Sequence, residues 1–398
     1  MPQRRMKLLS IADYTLTNAF GAGRTASLSG LRGGRSALRP IDLEEPTPKT
    51  WIGRVDGVED VSLPASLAGY DCRNNRLALL ALEQDGFLEG VRRAIARHGA
   101  TRIGVFLGTS TSGIERTEHA YASHPNMKHF REELHDHVLT HNMAATGRFV
   151  REWLGLRGPM HVISTACSSS AKVFATAWRH IQAGLCDAAL VGGVDSLCLT
   201  TLYGFNALEL LASGPCRPWD RDRAGISIGE GAGFALLEPA AEGIGLIGYG
   251  ESSDAYHMST PHPEGLWAAR AMQDALDRSG LSPSDIDYVN LHATGTRAND
   301  QAEDQAMRAV FGGKVCCSGT KGGTGHTLGA AGMIEALFAC MAIEHGFVPG
   351  MPTLGQPDPS LHTPVAVNTS EQRVDYAMSN SFGFGGSNCS LVFGRIEA

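Results

Sequence analysis

The sequence predicts an α/β protein whose mostly parallel sheet is covered by helices. Three observations lead there. Short apolar runs that read as buried strands alternate with stretches of helical spacing. That alternation is the pattern of strand–helix–strand units joined in one sheet. The 48 glycines are not periodic but cluster at the ends of apolar runs, in GTSTSG, VGGVDS, GEGAG, KGGTGH and FGFGG. Glycines so placed mark turns that need a positive φ or a close backbone approach.

In chain order, strands are expected at 102–109, 160–166, 188–194, 233–239, 286–293 and 315–319. Helices are expected at 171–184, 267–280, 300–311 and 327–346. Two strand–turn–helix units stand out, one around 160–184 with Cys167 at its turn and one around 314–346 with His326. They suggest two similar halves, 1–245 and 246–398, with their turns meeting where α/β sheets place ligands. The polar, His-rich stretch 115–150 reads as an insertion over the core.

Composition narrows the function. The 398 residues are 43% hydrophobic and carry a formal charge of −7, which argues against a nucleic-acid binder. No run reaches the ~18 apolar residues of a membrane span, and the start lacks a signal-peptide pattern. A cytoplasmic protein is expected. The nine cysteines form no C-x-x-C pair, so neither a zinc site nor a disulfide framework is indicated.

Four segments carry chemistry. In ISTACSSSAKVFATA an apolar strand runs into Cys167 at the start of a small-residue helix. The field of a helix N-terminus favours thiolate, and a sharp turn would expose it. A buried core cysteine fits this segment equally well. In NLHATGT, His292 leaves a strand end, followed by Thr294 and Thr296, whose hydroxyls suit an extended amide-bearing arm; a Thr-rich turn is the plainer account. Asp300 with Glu303 reads as a structural capping box. In TKGGTGHTLGAAG, Lys321 and His326 share a glycine-rich turn, and Glu335 on the following helix is placed to pair with the lysine. A phosphate-binding loop is a rival there, although the G-x-x-x-x-G-K-[ST] order is absent. In NSFGFGGSN, Phe382 and Phe384 lie between two strand-like runs, as in a hairpin.

Taken together and in order, TACSSS, LHATGT, TKGGTGH-LGAAG and NSFGFGGSN resemble the active-site segments of elongating β-ketoacyl–acyl carrier protein synthases, and PCRPWDRDRAGISIGEGAG at 215–233 resembles a further signature. The resemblance implies a thiolase-like fold, two α/β halves forming a layered α-β-α-β-α core. It implies that Cys167 takes the acyl group while His292 and His326 promote decarboxylation of a malonyl thioester. Lys321 and Glu335 would organise the site, and the backbone N–H groups of Cys167 and Phe384 would form an oxyanion hole. Thr294 and Thr296 match phosphopantetheine-binding residues, with Phe205 and Phe382 in the substrate-binding set. No cofactor beyond the carrier's own phosphopantetheine arm is implied.

The sequence departs from that pattern at Ala293 (usually Gly), Arg297 (usually Pro), Gly323 (often Met) and Thr111 (often apolar). Thr111 and Gly323 imply a reshaped acyl pocket and a specialised polyene or polyketide pathway. The resemblance also implies an acyl carrier protein partner and a homodimer or a heterodimer with a homologous subunit. Arg73 and Arg76 are carrier-docking candidates by position, or simply solvated helix charges. A non-catalytic partner subunit and a cysteine hydrolase are the competing functions.

Overall fold

The computed structural model describes residues 8–43, 47–123, 137–239 and 242–396. The main sheet is built from β1 (Leu9–Asn18), β2 (Ile103–Gly108), β3 (Met160–Ile163), β4 (Ala188–Asp195), β5 (Gly231–Pro239), β6 (Gly243–Ser253), β7 (Tyr288–Asn290), β8 (Cys316–Ser318), β9 (Tyr376–Gly383) and β10 (Ser387–Ile396). Their spatial order is β3-β2-β4-β5-β1-β6-β10-β9-β7-β8, with the short strand Gly21–Ala22 beside β1. The first five strands and the last five follow one plan. In each, the first strand of the set lies at the junction, and outward from it come the fifth, fourth, second and third. β1 and β6 join the two sets through the pairs Leu9↔Leu246 and Ser10↔Gly245.

The sheet is mixed rather than mostly parallel. β2, β3 and β4 are parallel neighbours, as are β7, β8 and β9. Every pairing between these two trios is antiparallel. The reason lies in the strands that sequence reading did not place. β1 contains Ser10, Asp13 and Thr15, and β6 is rich in glycine, so neither looks like an apolar run. The β6 glycines make room for a helix. A Cβ on Gly250 would sit 1.8 Å from the Ala271 carbonyl oxygen, and one on Gly248 would sit 2.3 Å from that of Ala275.

Helices fill three layers around the two halves. α1 (Arg73–Leu82), α2 (Phe87–His98) and α3 (Ala145–Trp153) cover the outer face of the first half, where Leu77, Phe87, Val91 and Phe149 pack on Val105 and Leu190. α4 (Ser169–Gln182) and α7 (Ala331–His345) lie between the halves, with α5 (Leu266–Ser279) and α6 (Arg297–Phe311) outside the second. The result is the layered α-β-α-β-α arrangement. α7 is apolar all round because both faces are covered. The stretch Leu328–His345 is long and apolar enough to cross a membrane by composition, yet 89% of it is buried inside this protein. Gly346, with φ 66°, ends it in the left-handed conformation that glycine adopts without strain.

Part of the expected insertion at 115–150 lies outside the described residues. The remainder includes the helix Ile114–Ser123, whose Glu118 accepts from the N–H groups of Leu199 and Thr200 at 3.0 and 2.6 Å. It thereby supports the helix Leu199–Ala207, which carries Phe205. The strands expected at 160–166, 286–293 and 315–319 end earlier, at Ile163, Asn290 and Ser318. The residues beyond those ends leave the ladder and turn into one site.

Candidate active site

β3 and β7 end on the same side of the layered core, and each feeds a reactive side chain into one cavity. After β3, Ala166 takes a φ of 51° and Cys167 follows at the turn, before α4. Serines hold this elbow. Ser168 Oγ donates to the Thr165 carbonyl at 2.9 Å, and Ser169 Oγ donates to that of Ala166 at 2.6 Å. Ser170 Oγ accepts from the Met333 N–H at 2.8 Å, fixing α4 against α7.

His292 lies two residues past β7, on a loop held from below by α6. Glu303 accepts from the backbone N–H groups of His292 and Ala293 at 2.7 and 2.8 Å. This keeps Ala293 at a φ of 38°, a conformation that costs a residue with a Cβ on the order of 1 kcal/mol. Asp300 accepts from the N–H groups of Gly295 and Trp219 at 3.2 and 3.0 Å. The expected Asp300–Glu303 capping box is therefore absent. Thr296 is the N-cap, accepting from Asn299 N–H at 3.3 Å, and the two acids instead secure the site loop. Their sequence signal was misread because acids in a first helical turn are so often caps.

His326 Nε2 stands 3.0 Å from Cys167 Sγ, and the His292 and His326 rings meet edge to face with centroids 5.4 Å apart. The tautomers follow from the remaining partners. His326 Nδ1 accepts from the Leu328 N–H at 3.3 Å, and His292 Nδ1 accepts from Lys321 Nζ at 3.3 Å. Both imidazoles therefore carry their proton on Nε2. Lys321 also donates to the His292 carbonyl, and to Glu335 at 2.5 Å.

Burial dominates the electrostatics. It holds both imidazoles well below the usual histidine range, reinforced by the Lys321 charge, so they are neutral. Burial pushes the Cys167 thiol up to about 11, against the pull of Lys321 and of the Phe384 and Cys167 backbone N–H groups. The resting sulfur is thus a thiol. Desolvation outweighs the helix field that the sequence led us to weight more heavily. Burial likewise raises Glu335 to about 7 in spite of Lys321, and Glu303 to about 7 in spite of its two backbone donors.

A cavity of about 440 Å³ leads to the thiol. Cys167, His292, His326, Thr294, Thr296, Phe205, Phe382 and Phe384 all line it. Phe382 is buried with its ring 6.0 Å from His292, and the Phe205 and Phe384 rings lie 5.5 Å apart. Lys321 and Glu335 are buried behind the histidines. Sulfur and imidazole atoms of Cys167, His292 and His326 lie within 4.8 Å of one another, a donor set that suits a soft metal ion. The Lys321 ammonium bonded to His292 works against a cation there.

Three sequence expectations need correction, while Arg76 keeps both of its readings. Thr111 does not line the cavity; its hydroxyl donates to buried Asp195 at 3.0 Å. Gly323 faces Phe20, whose ring would lie 2.6 Å from an added Cβ, so its small size accommodates that ring rather than an acyl chain. Arg73, with only 10% of its side chain exposed, is locked between Glu230 and Glu59, both at 2.6 Å. Arg76 is bonded through two nitrogens to Asp71, at 2.6 Å each, and remains about a third exposed.

The family described as beta-ketoacyl synthase matches this chain, its N-terminal domain over residues 75–243 and its C-terminal domain over 245–354. The chain is 34% identical over 399 residues to nodulation protein E of Rhizobium meliloti (strain 1021), covering 95% of this chain and 96% of that protein. It is 35% identical over 407 residues to 3-oxoacyl-[acyl-carrier-protein] synthase 2 of Staphylococcus aureus (strain COL), covering 92% and 98%. Among solved structures, the ketosynthase ApeO in complex with its chain length factor ApeC from Xenorhabdus doucetiae superposes with a TM-score of 0.90 at 38% identity, covering 100% of this chain and 99% of that one. The ishigamide ketosynthase/chain length factor superposes with a TM-score of 0.89 at 26% identity, covering 99% and 100%. With both halves matched and a nucleophile facing two neutral imidazoles, this chain belongs to the β-ketoacyl synthase family of condensing acyltransferases.

Proposed function

We propose that this protein extends an acyl chain held on Cys167 by decarboxylative condensation with a malonyl thioester, both delivered by the phosphopantetheine arm of an acyl carrier protein. One observation carries the assignment: Cys167 Sγ and His326 Nε2 lie 3.0 Å apart in a cavity that His292 also lines.

In the first step Cys167 sulfur attacks the acyl thioester, and the thiol proton leaves with the departing pantetheine sulfur. No separate base is consumed. The backbone N–H groups of Cys167 and Phe384 already point at the sulfur and are placed to donate to the tetrahedral oxyanion. In the second step the malonyl thioester oxygen accepts the two Nε2–H bonds from His292 and His326. Its terminal C–C bond breaks, carbon dioxide leaves, and the electron pair becomes an enolate that those donors stabilise. The enolate carbon then attacks the acyl carbonyl on Cys167, the C–S bond breaks, and one proton taken up from solvent water restores the thiol. Neutral imidazoles suit this task because they donate without inviting proton transfer to the enolate.

Thr294 and Thr296, whose hydroxyls lie 3.0 Å apart on the cavity wall, would bind the amides of the arm. Lys321 would fix His292 in its donor tautomer, with Glu335 balancing the charge. The intact Cys167, His292 and His326 set argues against a purely structural partner subunit. A heterodimer with a homologous subunit is supported by the likeness to a ketosynthase solved with its chain length factor.

Incubation with acyl carrier protein, with and without malonyl carrier protein, tests the proposal. Carbon dioxide release and a product two carbons longer are expected. Free fatty acid would indicate a hydrolase, and absence of an acyl adduct on Cys167 would leave only the partner role.

A further inference from the structure

A second pair of imidazoles lies away from the cavity. β3 ends the main sheet on one side, and its His161 side chain is exposed. His161 meets His180 of α4 with the two Nε2 atoms 3.1 Å apart. Neither ring lines the cavity, and His180 lies about three helical turns along α4 from Ser169. The two are 19 residues apart in the chain, one on a strand and one on a helix, so no local motif announces them.

Several features prepare this pair for a metal ion. His180 Nδ1 lies 2.8 Å from the Thr176 carbonyl oxygen, which can only accept, so Nδ1 carries the proton and Nε2 offers its lone pair. A carbonyl holding the far ring nitrogen is the support that orients imidazole ligands. The buried Phe106 ring packs against both imidazoles, with centroids 5.9 Å from His161 and 4.7 Å from His180. Metal–nitrogen bonds of about 2.1 Å to two atoms 3.1 Å apart meet at about 95°, between the octahedral and tetrahedral angles. Burial and the neighbouring His180 hold His161 below the usual histidine range, so it is neutral at pH 7. The cation next in sequence, Arg179, is matched by Glu251.

We propose that His161 and His180 bind a zinc-class divalent ion through their Nε2 atoms, clamping β3 to α4 on either side of the turn that presents Cys167. Without metal, His161 Nε2–H donates to His180 Nε2. On binding, that proton moves to His161 Nδ1, so both Nε2 lone pairs reach the ion and no net proton is released. Among the described residues no third His, Cys, Asp or Glu joins the pair, so water completes the coordination sphere. The donor set of Cys167, His292 and His326 is the rival location, but there the Lys321 ammonium opposes a cation, and no lysine is bonded to His161 or His180. The clamp is separate from the condensing chemistry and does not depend on it.

Calorimetric titration of the whole protein with Zn²⁺ at pH 7 tests this, paired with thermal unfolding. One saturable site per chain is expected, and zinc should raise the unfolding midpoint because only the folded chain holds the two rings together. His161→Ala and His180→Ala should each weaken binding at least tenfold and remove the zinc-dependent rise. His161 is exposed, so its variant tests the site without disturbing the core. Cys167→Ala, which breaks the rival donor set, should bind zinc as the unaltered protein does. So should His141→Ala, at the close imidazole pair of His137 and His141. No saturable binding, binding that survives both His161→Ala and His180→Ala, or binding lost with Cys167→Ala or His141→Ala would overturn the clamp.

Discussion

The two halves use the same turn in opposite ways. After β2, the second strand of the first half, come Thr109, Ser110 and Thr111; after β7, its counterpart in strand order, come His292, Ala293 and Thr294. Each turn is anchored by a buried carboxylate, Asp195 in the first half and Glu303 in the second. Asp195 takes the side-chain hydroxyls of Thr109, Ser110 and Thr111 at 2.6, 2.5 and 3.0 Å, together with backbone N–H groups. Among the described residues, Glu303 takes only backbone N–H groups. One anchor therefore uses up the side chains of its turn, and the other leaves His292 and Thr294 free to face the cavity. Catalytic capacity here depends on which atoms satisfy the buried acid.

The largest test of that contrast removes the nucleophile that the second half serves. Cys167→Ala should lower condensation by roughly 10⁴-fold or more and abolish the covalent acyl adduct seen by intact-protein mass spectrometry. Next, His292→Ala and His326→Ala should each reduce malonyl decarboxylation by about 10²- to 10³-fold, as loss of one oxyanion donor does. The acyl adduct should still form in both. If acylation fell equally, the separation between sulfur chemistry and enolate stabilisation would be broken.

Loosening the second-half anchor should cost less. Glu303→Gln replaces one acceptor oxygen with a donor, and kcat should fall about tenfold with the fold retained. The pH profile sharpens this. Glu303 and Glu335 are both raised to about 7, while the imidazoles titrate well below 6.5. The acid limb of kcat should therefore fall near pH 7 and report these carboxyls rather than the histidines. Stability moves the other way. The folded protein holds these protons more tightly than the unfolded chain, so ionising the two acids costs folding free energy. That cost is absent below the ordinary value of 4.5 and complete above about 7.

The smallest catalytic effect should come from the first-half anchor. Thr111→Val removes one donor to Asp195 and should lower stability by about 1–3 kcal/mol in thermal unfolding. The chain-length profile of the products should be unchanged. A shifted profile would return Thr111 to the acyl channel and undo the contrast between the turns.

Sequence by itself determined the local chemistry. Cys167 between an apolar strand and a small-residue helix, His292 and Thr294 past a strand end, and Lys321 with Glu335 across a glycine-rich turn are legible because neighbouring residues in the chain create each setting. The apolar runs β2, β4 and β5 were legible for the same reason, while polar β1 and glycine-rich β6 were not. Tertiary structure alone decided who meets whom. It gave Thr111 to Asp195, Gly323 to Phe20 and Arg73 to Glu230, and it turned a supposed capping acid, Glu303, into the support of His292. It also set the protonation of Cys167, since the helix start is written locally but the desolvation that outweighs it comes from every layer packed around the sulfur.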